Sequence, residues 1–149
     1  MVEAILQVYK INQKSGKGAR ILACAPSNSA ADLIVERLSS YVDKKDMFRM
    51  VAYQRDYASI PDKVKPYTKF DKFFDLPDAA EIAKFKVVVC TCVTAAKISS
   101  LVESTAKDFA HIFIDEAGHA TEPETLVALS GLVQQYVIIF SVNYNNILL

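Results

Sequence analysis

Four short runs constrain the fold most: "ILACA" at 21–25, "KVVVCTCV" at 86–93, "HIFID" at 111–115 and "VIIFSV" at 137–142. Each is apolar at nearly every position. A strand with one wet face alternates apolar and polar side chains, whereas a continuous apolar run belongs to a strand covered on both faces. Between the runs the spacing turns helical. "SAADLIVERL" sets Ile34, Leu38 and Tyr41 on one face, with Ser29 three residues before Asp32 in the spacing of a capping box. "TAAKISSLV" follows the second run. "TEPETLVALSGLV" follows the third, with Thr121 and Glu124 as a capping pair and Pro123 in its first turn. A helix with Val2, Ile5, Leu6 and Tyr9 on one side precedes them all and ends at the polar "NQKSGKGAR". Strands alternating with helices predict an α/β fold, a parallel sheet with helices on both faces.

Residues 43–85 break the pattern. "FRMVA" at 48–52 is a candidate short strand, and Lys63, Lys65, Lys69 and Lys72 interleave with Tyr67, Phe70, Phe73 and Phe74. Cations among stacking faces suit a single nucleic-acid strand. The preferred reading is plainer: a surface excursion whose aromatics pin it to the domain while its lysines stay in water.

The 149 residues suffice for one domain. Seventeen basic and seventeen acidic residues cancel, so any nucleic-acid contact must come from a local surface. No apolar run approaches the roughly 18–20 residues needed to cross a membrane, and "MVEAILQVYK" lacks the features of a secretory signal. Cys24, Cys90 and Cys92 all fall inside apolar runs and read as buried thiols of a reducing compartment.

In a parallel sheet the binding crevice lies beyond the carboxyl ends of the strands. The polar punctuation falls there: "PSNS" after the first run, "TCVT" at the end of the second, "DEAGH" after the third. Asp115 could hold magnesium on nucleotide phosphates while Glu116 orients and deprotonates the attacking water. A solvated acid pair ending a strand is the alternative. Glu116 and His119 also have an E-x-x-H spacing, but a dinuclear metal site needs a second such pair, and the only other histidine is His111.

"ILACAPSNSAADLIVERL", followed about ninety residues later by "FAHIFIDEAGHATEPETLVALSGL", resembles superfamily 1 RNA helicases. "DEAGHATEPE" narrows the resemblance to the Armitage, silencing-defective and Moloney leukaemia virus ten-like helicases. It implies an incomplete RecA-like P-loop NTPase domain and an ATP-dependent enzyme moving 5′-to-3′ on single-stranded RNA, with ATP and Mg²⁺ as cofactors. By the same resemblance Asp115 binds magnesium and Glu116 is catalytic. His119 lies beside the γ-phosphate, and Pro26, Ser27, Asn28, Ser29, Thr91 and Thr94 meet the RNA. Helix capping is the competing role for Ser29, Thr91 and Thr94. Further implied are silencing or mRNA-decay ribonucleoprotein partners, a cytoplasmic location including ribonucleoprotein granules, and no membrane.

The chain departs from that pattern in two places. Its glycines are 16, 18, 118 and 131, so no G-x-x-x-x-G-K-[ST] is present, and "SGKGAR" lies between a helix and a strand, at the wrong edge of the sheet. After "VQQYVIIF" the resemblance implies a Gly-Asp-x-x-Gln type motif, where this chain reads "SVNYNNILL". The expectation is a partial first motor domain over 1–133 lacking the phosphate loop, then a divergent, truncated or misjoined segment over 134–149. Alone it is expected to be inactive as an ATPase. The alternatives are a non-catalytic RNA-binding or regulatory module and, less favoured, a metal-dependent hydrolase built on Asp115, Glu116 and His119.

Overall fold

A computed structural model of the chain describes residues 1–16, 18–75, 77–102, 109–117, 123, 125–126 and 133–139, with 99–102 and 133–139 as backbone. The apolar runs become neighbouring strands. β1 (Arg20–Ala25), β2 (Met47–Arg49), β3 (Val87–Thr91), β4 (Phe109–Ile114) and β5 (Val133–Ile139) form one sheet in the order β2-β3-β1-β4-β5, with every pair parallel. The continuous apolar composition required this, because the sheet is covered on both sides. Ile21, Ala23, Ala25, Val87, Val89 and Phe113 enter one core, and the alternate residues Leu22, Cys24, Val88, Cys90, Ile112 and Ile114 enter the other. Successive strand residues face opposite ways, so one run feeds two cores.

The first core is closed by α1 (Val2–Ser15) and α2 (Asn28–Leu38), through Ile5, Leu6 and Tyr9 from one and Ala31, Ile34, Val35 and Leu38 from the other. The second receives Ile82 of α3 (Ala79–Ile82) and Ala95 and Ile98 of α4 (Cys92–Val102). α1 stops at Gly16, whose φ of 64° is left-handed, and Gly18 follows at 60°. Both glycines of "SGKG" therefore turn the chain into the amino end of β1, at the far end of the strands from Asp115.

Several element boundaries differ from the sequence expectation. The cap of α2 is Ser27, whose Oγ accepts from Ala30 N–H at 3.1 Å. Ser29 is therefore not the capping residue, and Asp32 is not its acid partner; Asp32 is 3% exposed and faces two arginines. The expected strand at 48–52 is the shorter β2, and α4 begins two residues before "TAAKISSLV". The last strand is described over Val133–Ile139, so it starts four residues before the expected 137, and residues 140–142 lie outside the described residues. The helix expected over "TEPETLVALSGLV" lies largely outside the described residues.

The 43–85 excursion holds itself to the domain with its own aromatics. Tyr57 stacks on Phe70 with ring centroids 4.2 Å apart, Tyr53 on Phe73 at 5.0 Å, and Phe74 is buried against the first core. Lys65 pairs with Asp62 at 2.6 Å and Lys69 with Glu81 at 2.8 Å. The rings face one another and two of the lysines have carboxylate partners, which favours the pinning reading over a stacking platform for nucleic acid. A buried polar link fastens its start: Asp46 accepts from the Tyr9 hydroxyl at 2.7 Å and from Lys86 at 2.9 Å, joining α1 to the entrances of β2 and β3. Burial pushes the Asp46 carboxyl up, but the bonds from Lys86 and Tyr9 outweigh it and hold it below its ordinary value. Burial first, then the bond to Asp46, pushes the Tyr9 phenol up to about 12.

Candidate functional site

Three strand ends meet at the carboxyl edge of the sheet. Ala25 pairs with Thr91 across β1 and β3, Cys24 with Ile114 across β1 and β4, and Asp115 N–H donates to the Cys24 carbonyl at 2.9 Å. Parallel register therefore brings "PSNS", "TCVT" and "DE" side by side, although they lie up to about ninety residues apart in sequence. The chain runs from β1 outward to β2, returns to β3 beside β1, then crosses to β4 on the other side. Such a reversal of winding opens a crevice at the strand ends.

Asp115 is half-buried and Glu116 exposed. Adjacent residues of an extended strand point to opposite faces, yet these two line one small cleft of about 50 Å³ with Val2, Leu33 and Arg37. The turn that permits it is visible in the backbone: Glu116 has φ 47°, a left-handed value that costs a side-chain-bearing residue about 1–2 kcal/mol. Two carboxylates offer hard oxygen donors of the kind Mg²⁺ takes from a protein when phosphates and water complete its shell. The donor chemistry fits magnesium, and Asp115 is the more sheltered of the two carboxylates. Among the described residues no group of three or more His, Cys, Asp or Glu side chains gathers at one point, which offers no support for a self-sufficient metal centre. Gly118 and His119 lie outside the described residues.

The "PSNS" loop begins with half-buried Pro26. Ser27 and Ser29 are exposed, and their hydroxyls lie 3.1 Å apart. Asn28 is the first residue of α2, and its side-chain oxygen accepts from Arg49 Nη2 at 3.0 Å. Thr91 and Thr94 are both buried. Thr91 Oγ1 accepts from Thr94 N–H at 3.2 Å and lies 2.7 Å from Thr94 Oγ1, so the pair caps α4. Capping engages those hydroxyls and rigidifies the junction between β3 and α4.

A charge cluster that the sequence reading missed lies beneath the loop. Asp32 accepts from Arg49 Nε at 2.9 Å and from the Arg55 fork at 3.0 and 2.5 Å. Arg49 is fully buried. Burial lowers its affinity for the proton, and the neighbouring Asp32 carboxylate opposes that effect. Local spacing could not reveal the cluster, since its partners lie 17 and 23 residues from Asp32. The one available signal was an acid on the apolar face of α2, beside Ala31 and Val35.

A separate cleft of about 610 Å³, lined by Phe48, Tyr67, Phe85, Lys44, Lys69 and Lys84, lies beside the amino ends of β2 and β3. It is remote from Asp115 along the strands.

Comparison with known proteins bears on the family and the fold. The family model described as an AAA domain matches residues 1–83 and 75–139. A chicken protein named as a helicase, MOV-10, is 40% identical over 136 residues, covering 89% of this chain and 14% of the relative. RNA helicase Mov10l1 of Mus musculus is 40% identical over 135 residues, covering 89% of this chain and 10% of its own length. The RNA helicase armi of Drosophila melanogaster is 32% identical over 155 residues, covering 91% and 13%. This chain thus spans a small part of each relative. Among solved structures, the helicase domain of Pyrococcus furiosus Hef superposes with a TM-score of 0.55 at 13% identity, covering 97% of this chain and 26% of that one, a likeness of fold.

Proposed function

The chain belongs to the AAA domain family, and from that premise we propose that it is the part of an ATP-dependent RNA helicase motor that meets single-stranded RNA and carries the magnesium and water-activating carboxylates. The observation that carries the reading is the convergence of Asn28, the Thr91–Thr94 junction and the Asp115–Glu116 pair at one edge of a parallel sheet. A helix start with small polar side chains suits a phosphate backbone, and two carboxylates at the neighbouring strand end suit a nucleotide's metal. Side by side, the two surfaces would let the state of the nucleotide be felt by the strand.

In the whole enzyme Mg²⁺ would neutralise charge on the nucleotide phosphates. Asp115 would hold it from the half-buried end of β4, and Glu116 would accept the proton of the attacking water from its exposed turn. Ser27, Asn28 and Ser29 would seat the RNA backbone without reading bases. Travel in the 5′-to-3′ direction, a role in silencing or mRNA decay, and residence in cytoplasmic ribonucleoprotein granules belong to the same proposal. The relatives named RNA helicases support the RNA substrate of that proposal.

A second reading is a non-catalytic RNA-binding module, which the absence of any G-x-x-x-x-G-K-[ST] in these 149 residues favours for this chain taken alone. Both readings require RNA binding, so the test is fluorescence anisotropy with single-stranded oligouridine over a salt series. The expected result is binding that weakens steadily with salt, as phosphate neutralisation demands. Binding with no salt dependence, or none at low salt, would remove both.

A further inference from the structure

We infer that Arg49, a buried positioning residue, fixes the side-chain amide of Asn28 so that its NH₂ group faces the RNA backbone as a hydrogen-bond donor. The inference rests on the reading that the "PSNS" loop meets RNA. An Asn side chain ends in an acceptor on one prong and a donor on the other, and which prong faces the ligand decides whether the contact attracts or repels. A guanidinium donates only. The Asn28 atom at 3.0 Å from Arg49 Nη2 must therefore be the oxygen, and the planar amide carries its NH₂ on the other prong, away from the buried arginine. Phosphate oxygens only accept, so the prong left for the loop surface is the matching one.

Arg49 cannot easily relinquish this setting. Its Nε is held by Asp32 at 2.9 Å and its Nη1 by the Met50 carbonyl at 2.7 Å. Asp32 is gripped in turn by Arg55, whose Nε donates to Ser59 Oγ at 3.2 Å. A line of hydrogen bonds thus runs from the 55–59 turn through Arg55, Asp32 and Arg49 to Asn28. Charge points the same way. Two guanidiniums against one carboxylate leave one positive unit beneath the loop, which favours an anion above it. The ligand this selects is a sugar-phosphate backbone of any sequence, with no part for the bases.

The test is a double-mutant cycle on oligouridine affinity, with a spectroscopic arm. Arg49→Lys keeps the charge but loses the fork, so it should weaken RNA binding about ten-fold in the Asn28 background and hardly at all in Asn28→Ala, where there is no amide left to orient. An equal loss in both backgrounds would mean that Arg49 only supports the fold, and the assignment would fall while the RNA reading stood. In ¹H–¹⁵N spectra of the unsubstituted chain, the Asn28 side-chain NH₂ signals should shift on adding oligouridine. Unshifted signals with RNA bound would overturn the assignment even if Arg49→Lys does not fold. If the unsubstituted chain binds no RNA, the site reading fails and this assignment fails with it.

Discussion

A single carboxylate can be read through its partners. Asp46 accepts from both Tyr9 and Lys86, and the two bonds hold its proton affinity below the ordinary carboxyl value. A depressed folded value contributes stability that is fully present above the unfolded value of about 4 and is lost as pH falls through the folded one. Tyr9 works in the opposite sense: its raised value of about 12 contributes stability below the ordinary phenol value of about 10, lost as pH rises towards 12. Asp46→Asn should lower stability at neutral pH by about 1–3 kcal/mol and flatten the acid limb of the stability curve. Urea unfolding at several pH values measures both, and an unchanged acid limb would show that Asp46 is not its source. Asp32 illustrates the limit of reading residues one at a time. From sequence it looked like a capping acid for Ser29, because three-residue spacing is a local signal. Its true partners, Arg49 and Arg55, are brought to it by the return of the chain through β2.

At the scale of elements, what was legible followed from periodicity. Continuous apolar runs announced β1, β3 and β4, because a strand buried on both faces cannot tolerate alternation, and the helical spacing of Ile5, Leu6 and Tyr9 announced α1. The cap of α2 was misplaced by two residues because "SNS" offers two serines. Ser27 alone has extended backbone, φ −125° and ψ 159°, with its hydroxyl placed to accept from the first turn. The aromatics of 53–74 could have been ligand platforms or anchors, and sequence cannot say which way a ring faces. Tyr57 over Phe70, with Phe74 buried beneath, makes the segment an anchored excursion. Phe74→Ala should therefore cost about 3–5 kcal/mol and expose 53–73 to protease before the rest of the domain. Cleavage elsewhere first would mean that the segment is held by its hydrogen-bonded turns rather than by this ring.

For the whole molecule, the order β2-β3-β1-β4-β5 turns distance in sequence into neighbourhood in space. That is why strand ends alone point to a candidate site, while the 149 residues contain no G-x-x-x-x-G-K-[ST] to complete the nucleotide chemistry. The expected outcome for the chain by itself is no Mg²⁺-dependent ATP hydrolysis. A coupled phosphate-release assay checks it, and turnover abolished by Glu116→Gln would overturn it. The two cores lean on the same strands, residue by alternate residue, so neither face of the sheet can loosen without disturbing the other. That interdependence reaches the cysteines. Cys24 and Cys90 are fully buried on adjacent strands with their sulfurs 3.8 Å apart, and Cys92 follows at 1% exposure. The Cys90 sulfur beside it and its own burial both hold the Cys24 thiol well above its usual proton affinity. Alkylating reagents attack thiolates they can reach, so in the native chain these three sites are chemically silent. Their labelling rate is then a clock for how often the sheet opens, started by no engineered probe and wound by the core itself.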